Sequence, residues 1–316
     1  MASAEIAKDD SELMVVQAHL LRHKLAEFRF ATVLRNTIDQ LLNGEDTGRY
    51  DWKYLRQTEK THAGSLVEIN LHREFDFNDG LAMDYQIDGI EVDCKFSQDF
   101  GGWMIPPEAM GHLCLLVWAD DHASRWSAGL LRIKEEWLNQ GANRDRKLTI
   151  KAGHRNKILW LWKDAKLPEN VLLHLPQDVR EQILLEGKRK GQARVIELFR
   201  RIQNKPISRG SIRTAAQQLD YMARLREGEG RARTVLREEG LLIVGPYRKH
   251  QDIARQVGAC VPRRGEFVSF RVTELKPYHG NRPRVELDDR FWVLADETDQ
   301  PEVAPRLPRV TAEAEL

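Results

Sequence analysis

The dipeptide Asp88-Gly89, set between the extended runs 83–87 and 90–96, constrains this chain more than any other feature. Asp-Gly favours a two-residue hairpin turn because both central positions of that turn need positive φ. Such a turn fixes the antiparallel register: Ile87 faces Ile90, Gln86 faces Glu91, Tyr85 faces Val92 and Asp84 faces Asp93. Alternation then assigns Ile90, Val92, Cys94 and Phe96 to a core face, and Glu91, Asp93 and Lys95 to the opposite face beside Asp84. Like charges directly opposed across two strands cost a few tenths to about 1 kcal/mol, so the aspartates call for water or a cation between them.

Paired carboxylates beside a lysine suit metal-assisted phosphodiester hydrolysis. Hard carboxylate oxygens hold Mg²⁺, and a lysine orients the attacking water or offsets developing charge. The apolar run 66–71, read as a buried helix, carries Glu68 one turn from His72. Glu68 can complete the site as a further metal ligand, or as a hydrogen-bond partner of Lys95 or of a water. The competing reading is a solvated charged strand. His62, His72, His112 and His174 form no ligand spacing, Cys94, Cys114 and Cys260 suit neither a disulfide framework nor a zinc site, and no Walker-type glycine loop is present. Trp103, Trp118, Trp126, Trp160 and Trp162 read as core.

The length of 316 residues fits two domains. Apolar residues at helical spacing predict a helix over 20–42 that stops at Asn43-Gly44. Further strands are expected at 112–118 and 127–133, giving a mixed sheet packed with helices. The polar turn of the sequence around 160–170 places a domain boundary there, with an N-terminal domain of 1–167 and a second of 168–316. The 49 basic and 48 acidic residues cancel globally but not locally. Between Gly187 and Arg237 only Glu197, Asp220, Glu227 and Glu229 oppose fourteen Lys and Arg, an electrostatic footprint suited to phosphate contact. Helices at 192–203 and 208–226, the latter N-capped by Ser208, and a strand at 241–244 suggest a winged helix-turn-helix. The Pro-rich acidic stretch from about 298 is expected to be disordered. No apolar run approaches the roughly 20 residues of a spanning helix, and the N-terminal sequence lacks a basic-then-apolar leader pattern, so the protein is expected in the cytoplasm.

Thr58-Glu59-Lys60-Thr61-His62, the run 66–75, Asp84, Val92-Asp93-Cys94-Lys95-Phe96-Ser97, Gly191-Gln192-Ala193-Arg194 and Glu197-Leu198-Phe199-Arg200-Arg201 together resemble the NaeI restriction endonuclease family. The resemblance spans nearly the whole chain. It implies an α/β fold: a mixed-sheet PD-(D/E)xK restriction-endonuclease-like domain, related to MutH-like nucleases, followed by a CAP-like winged helix-turn-helix domain. It further implies a type IIE enzyme, a homodimer that needs Mg²⁺ and engages two double-stranded DNA sites, one cleaved and one acting as effector, with a companion DNA methyltransferase. Glu68, Asp84, Asp93 and Lys95 match the family's catalytic positions, and the palindrome GCCGGC is the implied site. The family's proline before the first catalytic aspartate is replaced by Met83, and the match thins beyond Arg248.

Metal ligands are thus expected at Glu68, Asp84 and Asp93. DNA contacts are expected at Lys60, Arg194, Arg209, Arg213 and Gln217, because Arg pairs bidentately with guanine and Gln with adenine, or either touches phosphate. Two rivals stand beside this reading. A winged-helix transcription regulator would leave the Asp84, Asp93 and Lys95 face as coincidence. A strand-rejoining topoisomerase or recombinase would need a covalent nucleophile; the ligase-type Lys-x-Asp-Gly is absent around Asn43-Gly44, and no tyrosine is singled out.

Overall fold

The computed structural model describes residues 10–141, 146–184 and 191–310. The chain divides into two compact units, Met1–Leu41 with Trp52–Glu169, and Leu42–Asp51 with Asn170–Leu316. No helix among the described residues is long and apolar enough to cross a membrane.

The first unit is built on a six-stranded sheet whose order follows the sequence: β1 (Asn78–Asp79), β2 (Tyr85–Ile87), β3 (Ile90–Ser97), β4 (Leu113–Asp120), β5 (Arg125–Arg132) and β6 (Leu159–Lys166). Every neighbouring pair is antiparallel except β3 with β4, so the mixed sheet expected from the sequence is present. The run Leu-Cys-Leu-Leu-Val-Trp-Ala of β4 is buried along its length, as a strand covered on both faces must be. One cover is an aromatic cluster in which Phe30, from the helix Ala26–Leu42, stacks on Trp126 at 6.0 Å and meets Phe75 of the helix Gln57–Phe75 at 4.6 Å. Trp103, Ile105, Leu116, Trp118, Leu131 and Trp137 form a second apolar cluster. The tryptophans Trp103 and Trp126 are fully buried, in keeping with their core reading.

Two helix boundaries differ from the sequence reading. The helical run breaks over 23–25, where the extended His23 ends the helix Ser11–Arg22 and Leu25 takes a φ of 57° before Ala26–Leu42 begins. The helix carrying Glu68 starts nine residues before the apolar run, at Gln57, where Glu59 accepts the Arg56 N–H at 2.8 Å and so satisfies a backbone donor at the helix start. The polar stretch around 160–170 begins as β6, which pairs with β5, and the division between the two units falls after Glu169.

In the second unit, β9 (Glu266–Glu274) is the hub of a five-stranded antiparallel sheet. Residues 268–271 pair with β8 (Leu241–Val244), while β7 (Ile207–Ser208) and β11 (Arg290–Leu294) pair with its two ends, and β10 (Arg284–Leu287) pairs with β11. The helices Gly191–Arg201, Arg209–Ala216 and Ala232–Glu238 pack Val195, Leu198, Phe199, Ile212, Ala215 and Leu236 against Leu241, Ile243 and Phe267. Ser208 caps as expected, its hydroxyl accepting from Ser211 N at 3.1 Å. The helix it starts ends at Ala216 instead of running to Arg226, because Gln217 takes a left-handed φ of 47°. Gly44 is required where it stands: a Cβ there would lie 1.9 Å from Thr214 Oγ1.

The stretch expected to be disordered is tied down as far as Leu307, which packs against an apolar cluster, with Arg306 N donating to Asp288 Oδ2 at 3.0 Å. Asp299 is 3% exposed and accepts from Tyr278 Oη at 2.8 Å and His279 Nε2 at 3.1 Å, while Arg271 Nη1 donates to its carbonyl at 2.7 Å. His279 Nδ1 accepts from Lys276 N at 2.9 Å, which leaves Nε2 to carry the proton given to Asp299. Ala304 is buried and donates its N–H to Arg237 O at 2.9 Å. Acidity here supplies a specific carboxylate anchor instead of chain repulsion. The end of the expected disordered tail, 311–316, lies outside the described residues.

Two packing predictions follow from buried carboxylates. Arg35 is buried with Asp121, which takes its guanidinium through both oxygens, and with Asp39 at 2.7 Å; these carboxylates raise the Arg35 pKa against the opposing effect of burial. Asp121→Ala is expected to destabilise the first unit by about 3 kcal/mol, read from urea denaturation, since it leaves a buried cation with only the less buried Asp39 as its partner. Asp299→Ala is expected to open the segment 296–305 to limited proteolysis, with Asp299→Asn intermediate because it keeps one acceptor oxygen.

Candidate active site

The turn that organises the site has the geometry its sequence demands. Asp88 and Gly89 sit at φ of 50° and 81°, and Tyr85 pairs with Val92, Gln86 with Glu91 and Ile87 with Ile90. The ladder stops there. Asp84 lies outside β2, as the last residue of a five-residue loop joining β1 to β2, in which Asp79 pairs with Tyr85. Its carboxylate nevertheless reaches β3, with Oδ2 accepting from Cys94 N at 2.7 Å.

Asp93 and Lys95 stand in register with Cys114 and Leu116 of β4. Their face is therefore not the wet one that alternation implied: Asp93 is 4% exposed. Lys95 Nζ donates to Asp93 Oδ1 at 2.6 Å and Cys94 O at 2.9 Å, and lies 3.4 Å from Asp84 Oδ2. The structure thus brings Asp84, Asp93 and Lys95 into one cluster. Burial raises the Asp93 pKa to about 6; Lys95 opposes the shift and the neighbouring Asp84 adds to it. Burial alone would lower the lysine's pKa, but Asp93 and then Asp84 outweigh it, and Lys95 is held protonated.

Glu68 stands on the helix Gln57–Phe75, which is fixed to the hairpin by the Tyr85 hydroxyl donating to Glu68 O at 2.8 Å. Burial, then the negative charge of Asp84, raises the pKa of its half-buried carboxyl, with Lys95 opposing. No three His, Cys, Asp or Glu side chains among the described residues form a group able to hold a metal ion, so Glu68, Asp84 and Asp93 are not assembled as one ligand set. Asp84 and Asp93 by themselves fit a hard cation: both are oxygen donors, and Asp93 Oδ2 meets the weak Cys114 thiol at 3.6 Å.

Sequence reasoning missed two neighbours of this cluster. Cys114 was set aside as a thiol without a role, yet it is fully buried against Asp93. Glu91 was placed merely on the charged face, but its carboxylate accepts the N–H groups of Leu81, Ala82 and Met83, which hold its pKa down to about 2. Gly80, directly ahead of three residues that each carry a backbone N–H, was the available signal.

The expected DNA contacts are dispersed. Lys60 is partly exposed in the first turn of the helix Gln57–Phe75. In the second unit, Arg194 donates to Ala215 O at 2.7 Å and Ala216 O at 3.1 Å, so its guanidinium closes the C-terminal end of the helix Arg209–Ala216. Arg209 is partly buried at the start of that helix. Arg213 is exposed, pairs with Glu45 at 3.3 Å and lies 5.1 Å above the Tyr221 ring. Gln217 is exposed at the helix end. Within the basic stretch, Arg200 and Arg201 pair with Glu197, and Arg224 with Asp220, while the exposed Arg226 and Arg231 make no ion pair among the described residues. Lys188, Arg189 and Lys190 lie outside the described residues.

A family model for the restriction endonuclease NaeI matches residues 15–303 of this chain. The type II restriction enzyme NaeI of Lentzea aerocolonigenes is 45% identical over 314 residues, which is 98% of this chain and 98% of that protein. A match of this extent, over both units and the Asp84, Asp93 and Lys95 cluster alike, shows that the chain belongs to the NaeI family of restriction endonucleases and is a site-specific deoxyribonuclease.

Proposed function

We propose that this chain is a Mg²⁺-dependent homodimer that makes double-strand breaks at the palindrome GCCGGC, with a second DNA site bound by its C-terminal unit as effector and a methyltransferase of the same specificity as companion. The observation that carries the catalytic reading is the cluster of two aspartates around Lys95. Asp84 and Asp93 would hold Mg²⁺, with Glu68 supporting the ion or Lys95; when bound, the cation would supply Lewis-acid polarisation of the scissile phosphate.

The chain's own groups do the rest. Lys95, kept protonated by its carboxylate neighbours, orients the attacking water and offsets the negative charge that develops on the phosphate. Glu68, whose raised pKa makes it a better proton acceptor than an ordinary carboxylate, would be able to hydrogen-bond that water. Cleavage leaves a 5′-phosphate and a 3′-hydroxyl. A two-fold dimer presents one such cluster to each strand of a palindrome.

For the second unit, the winged helix-turn-helix reading is supported by the order helix, β7, two helix segments, the helix Ala232–Glu238 and β8, and by the pairing of both β7 and β8 with β9; the connection from β8 to β9 departs from a simple wing hairpin by carrying the helix Arg248–Val257. In that arrangement the helix before β8 takes the groove-reading place, which shifts the emphasis from Arg209–Ala216 towards Ala232–Glu238. Arg226 and Arg231 join Arg209, Arg213 and Gln217 as candidate contacts to the effector duplex, and Lys60 is a candidate contact to the cleaved one. Arg194 contributes by holding the end of the helix that carries Arg213.

The reading is tested by plasmid cleavage on substrates with zero, one or two GCCGGC sites. Asp93→Ala and Lys95→Ala are each expected to lower Mg²⁺-dependent cutting by about 10³-fold or more, with the parent faster on two sites than on one. DNA binding without Mg²⁺-dependent cutting would favour the regulator instead. The Asp93 pKa gives a separate expectation. Its folded value of about 6 exceeds the ordinary 3.8, so its contribution to stability is greatest below pH 3.8 and is lost as pH rises through 6. Cation binding needs the ionised form and has the opposite sense: Mg²⁺ affinity of the metal-free protein should weaken by up to about tenfold per pH unit below 6. Calorimetric titration between about pH 5 and pH 8 checks this, and a flat profile would remove Asp93 from the ligand set.

A further inference from the structure

Asp84 owes its place to a loop and not to a strand. The loop 80–84 is anchored on one side by β1, which contributes two residue pairs only. Two residues of ladder cannot fix five residues of loop, and the three N–H groups at its centre need acceptors. Glu91 supplies them from β3: Leu81 N donates to Oε1 at 3.0 Å, and Ala82 N and Met83 N donate to Oε2 at 2.9 and 2.8 Å. Consecutive N–H groups converging on one anion form a nest, here filled by a side chain of the same sheet.

Gly80 gives an independent indication that this conformation is specified. A Cβ at position 80 would lie 2.1 Å from the Met83 carbonyl oxygen and 3.0 Å from Glu91 Oε2. The loop folds back on itself closely enough that only glycine fits. Met83, unlike a proline at this position, has the N–H that completes the nest. Asp84 follows at once, with its carboxylate on Cys94 N and near Lys95 Nζ.

We propose that Glu91 is a positioning residue for cleavage, setting the Asp84 carboxylate by fixing the backbone of residues 81–83 from the neighbouring strand. The inference rests on the reading of Asp84 as a catalytic residue. Glu91 touches neither substrate nor cation in this role; it acts through the loop. A misplacement of about 1 Å at a reacting group can lower a rate on the order of 10²-fold, so loss of the nest should appear in turnover.

The test compares the full-length parent, Glu91→Gln, Glu91→Ala and Asp84→Ala on a two-site plasmid. Four quantities are read: kcat at saturating Mg²⁺, affinity for a GCCGGC duplex in Ca²⁺ by fluorescence anisotropy, thermal midpoint, and amide hydrogen exchange over 78–95. Glu91→Gln keeps the size but offers one acceptor oxygen, and is expected to lower kcat about tenfold, with Glu91→Ala lower still at about 10²-fold. Duplex affinity should stay within about twofold of the parent, and faster exchange should be confined to residues 81–84. A kcat equal to the parent in both Glu91 variants, with Asp84→Ala inactive, would overturn the positioning role and leave the catalytic reading standing. Loss of kcat together with faster exchange across the whole sheet would also overturn it, as a general destabilisation. Parental cutting by Asp84→Ala would overturn both readings.

Discussion

A buried ammonium held between carboxylates is the interaction on which the first unit's chemistry depends. Burial by itself pushes the Lys95 pKa down and the Asp93 pKa up; together they keep a cation and an anion at 2.6 Å in a setting that is 4% exposed at the aspartate. The pair is not a stabilising device in isolation, because desolvation still raises the Asp93 pKa to about 6. Its placement makes sense when something further is to be bound there. The surrounding sheet bears the cost: β4 is buried on both faces, and Trp103, Trp118 and Leu116 pack where a loosely built core would let the strand carrying the charges shift.

The parallel step from β3 to β4 gives that burial its direction. The rest of the sheet is antiparallel, but this one crossover sets Asp93 beside Cys114 and Lys95 beside Leu116. Side chains that a lone hairpin would show to solvent are thereby covered by a strand some twenty residues away. On the other side, the helix Gln57–Phe75 is tied to the hairpin by the Tyr85 hydroxyl, and Tyr85 is itself fully buried. Glu68 therefore approaches the cluster as part of a rigid helix.

What the sequence revealed of this site followed the range of each interaction. The Asp88-Gly89 turn and its register were legible because two residues with positive φ determine a hairpin locally. The environment of that hairpin was not, because burial of the Asp93 face depends on β4, whose partner cannot be read from alternation within β3. The loop geometry of Asp84 was hidden for a related reason: β1 is two residues long and carries no period. In the second unit, Ser208 signalled its helix start, but the left-handed Gln217 that ends the helix is a non-glycine residue in a conformation glycine usually marks. The strands β9 to β11 were missed because their identity rests on pairing with β8 and with one another. Family membership, in contrast, was legible from the linear motifs alone.

The basic stretch shows how far a charge count can mislead about a field. Fourteen Lys and Arg between Gly187 and Arg237 suggested one broad phosphate-binding surface. In the fold, Arg194 closes a helix end, Arg200 and Arg201 share Glu197, Arg200 also takes Glu239, and Arg233 donates its Nε to Ile243 O at 3.1 Å. A guanidinium that satisfies carbonyls or carboxylates still contributes to the long-range potential, but its donors are not available for bidentate readout of a base. Long-range attraction and base recognition are thus assigned to different arginines of the same stretch. Exposed residues such as Arg226 and Arg231 keep their donors open, whereas the paired ones fix the helices that present them.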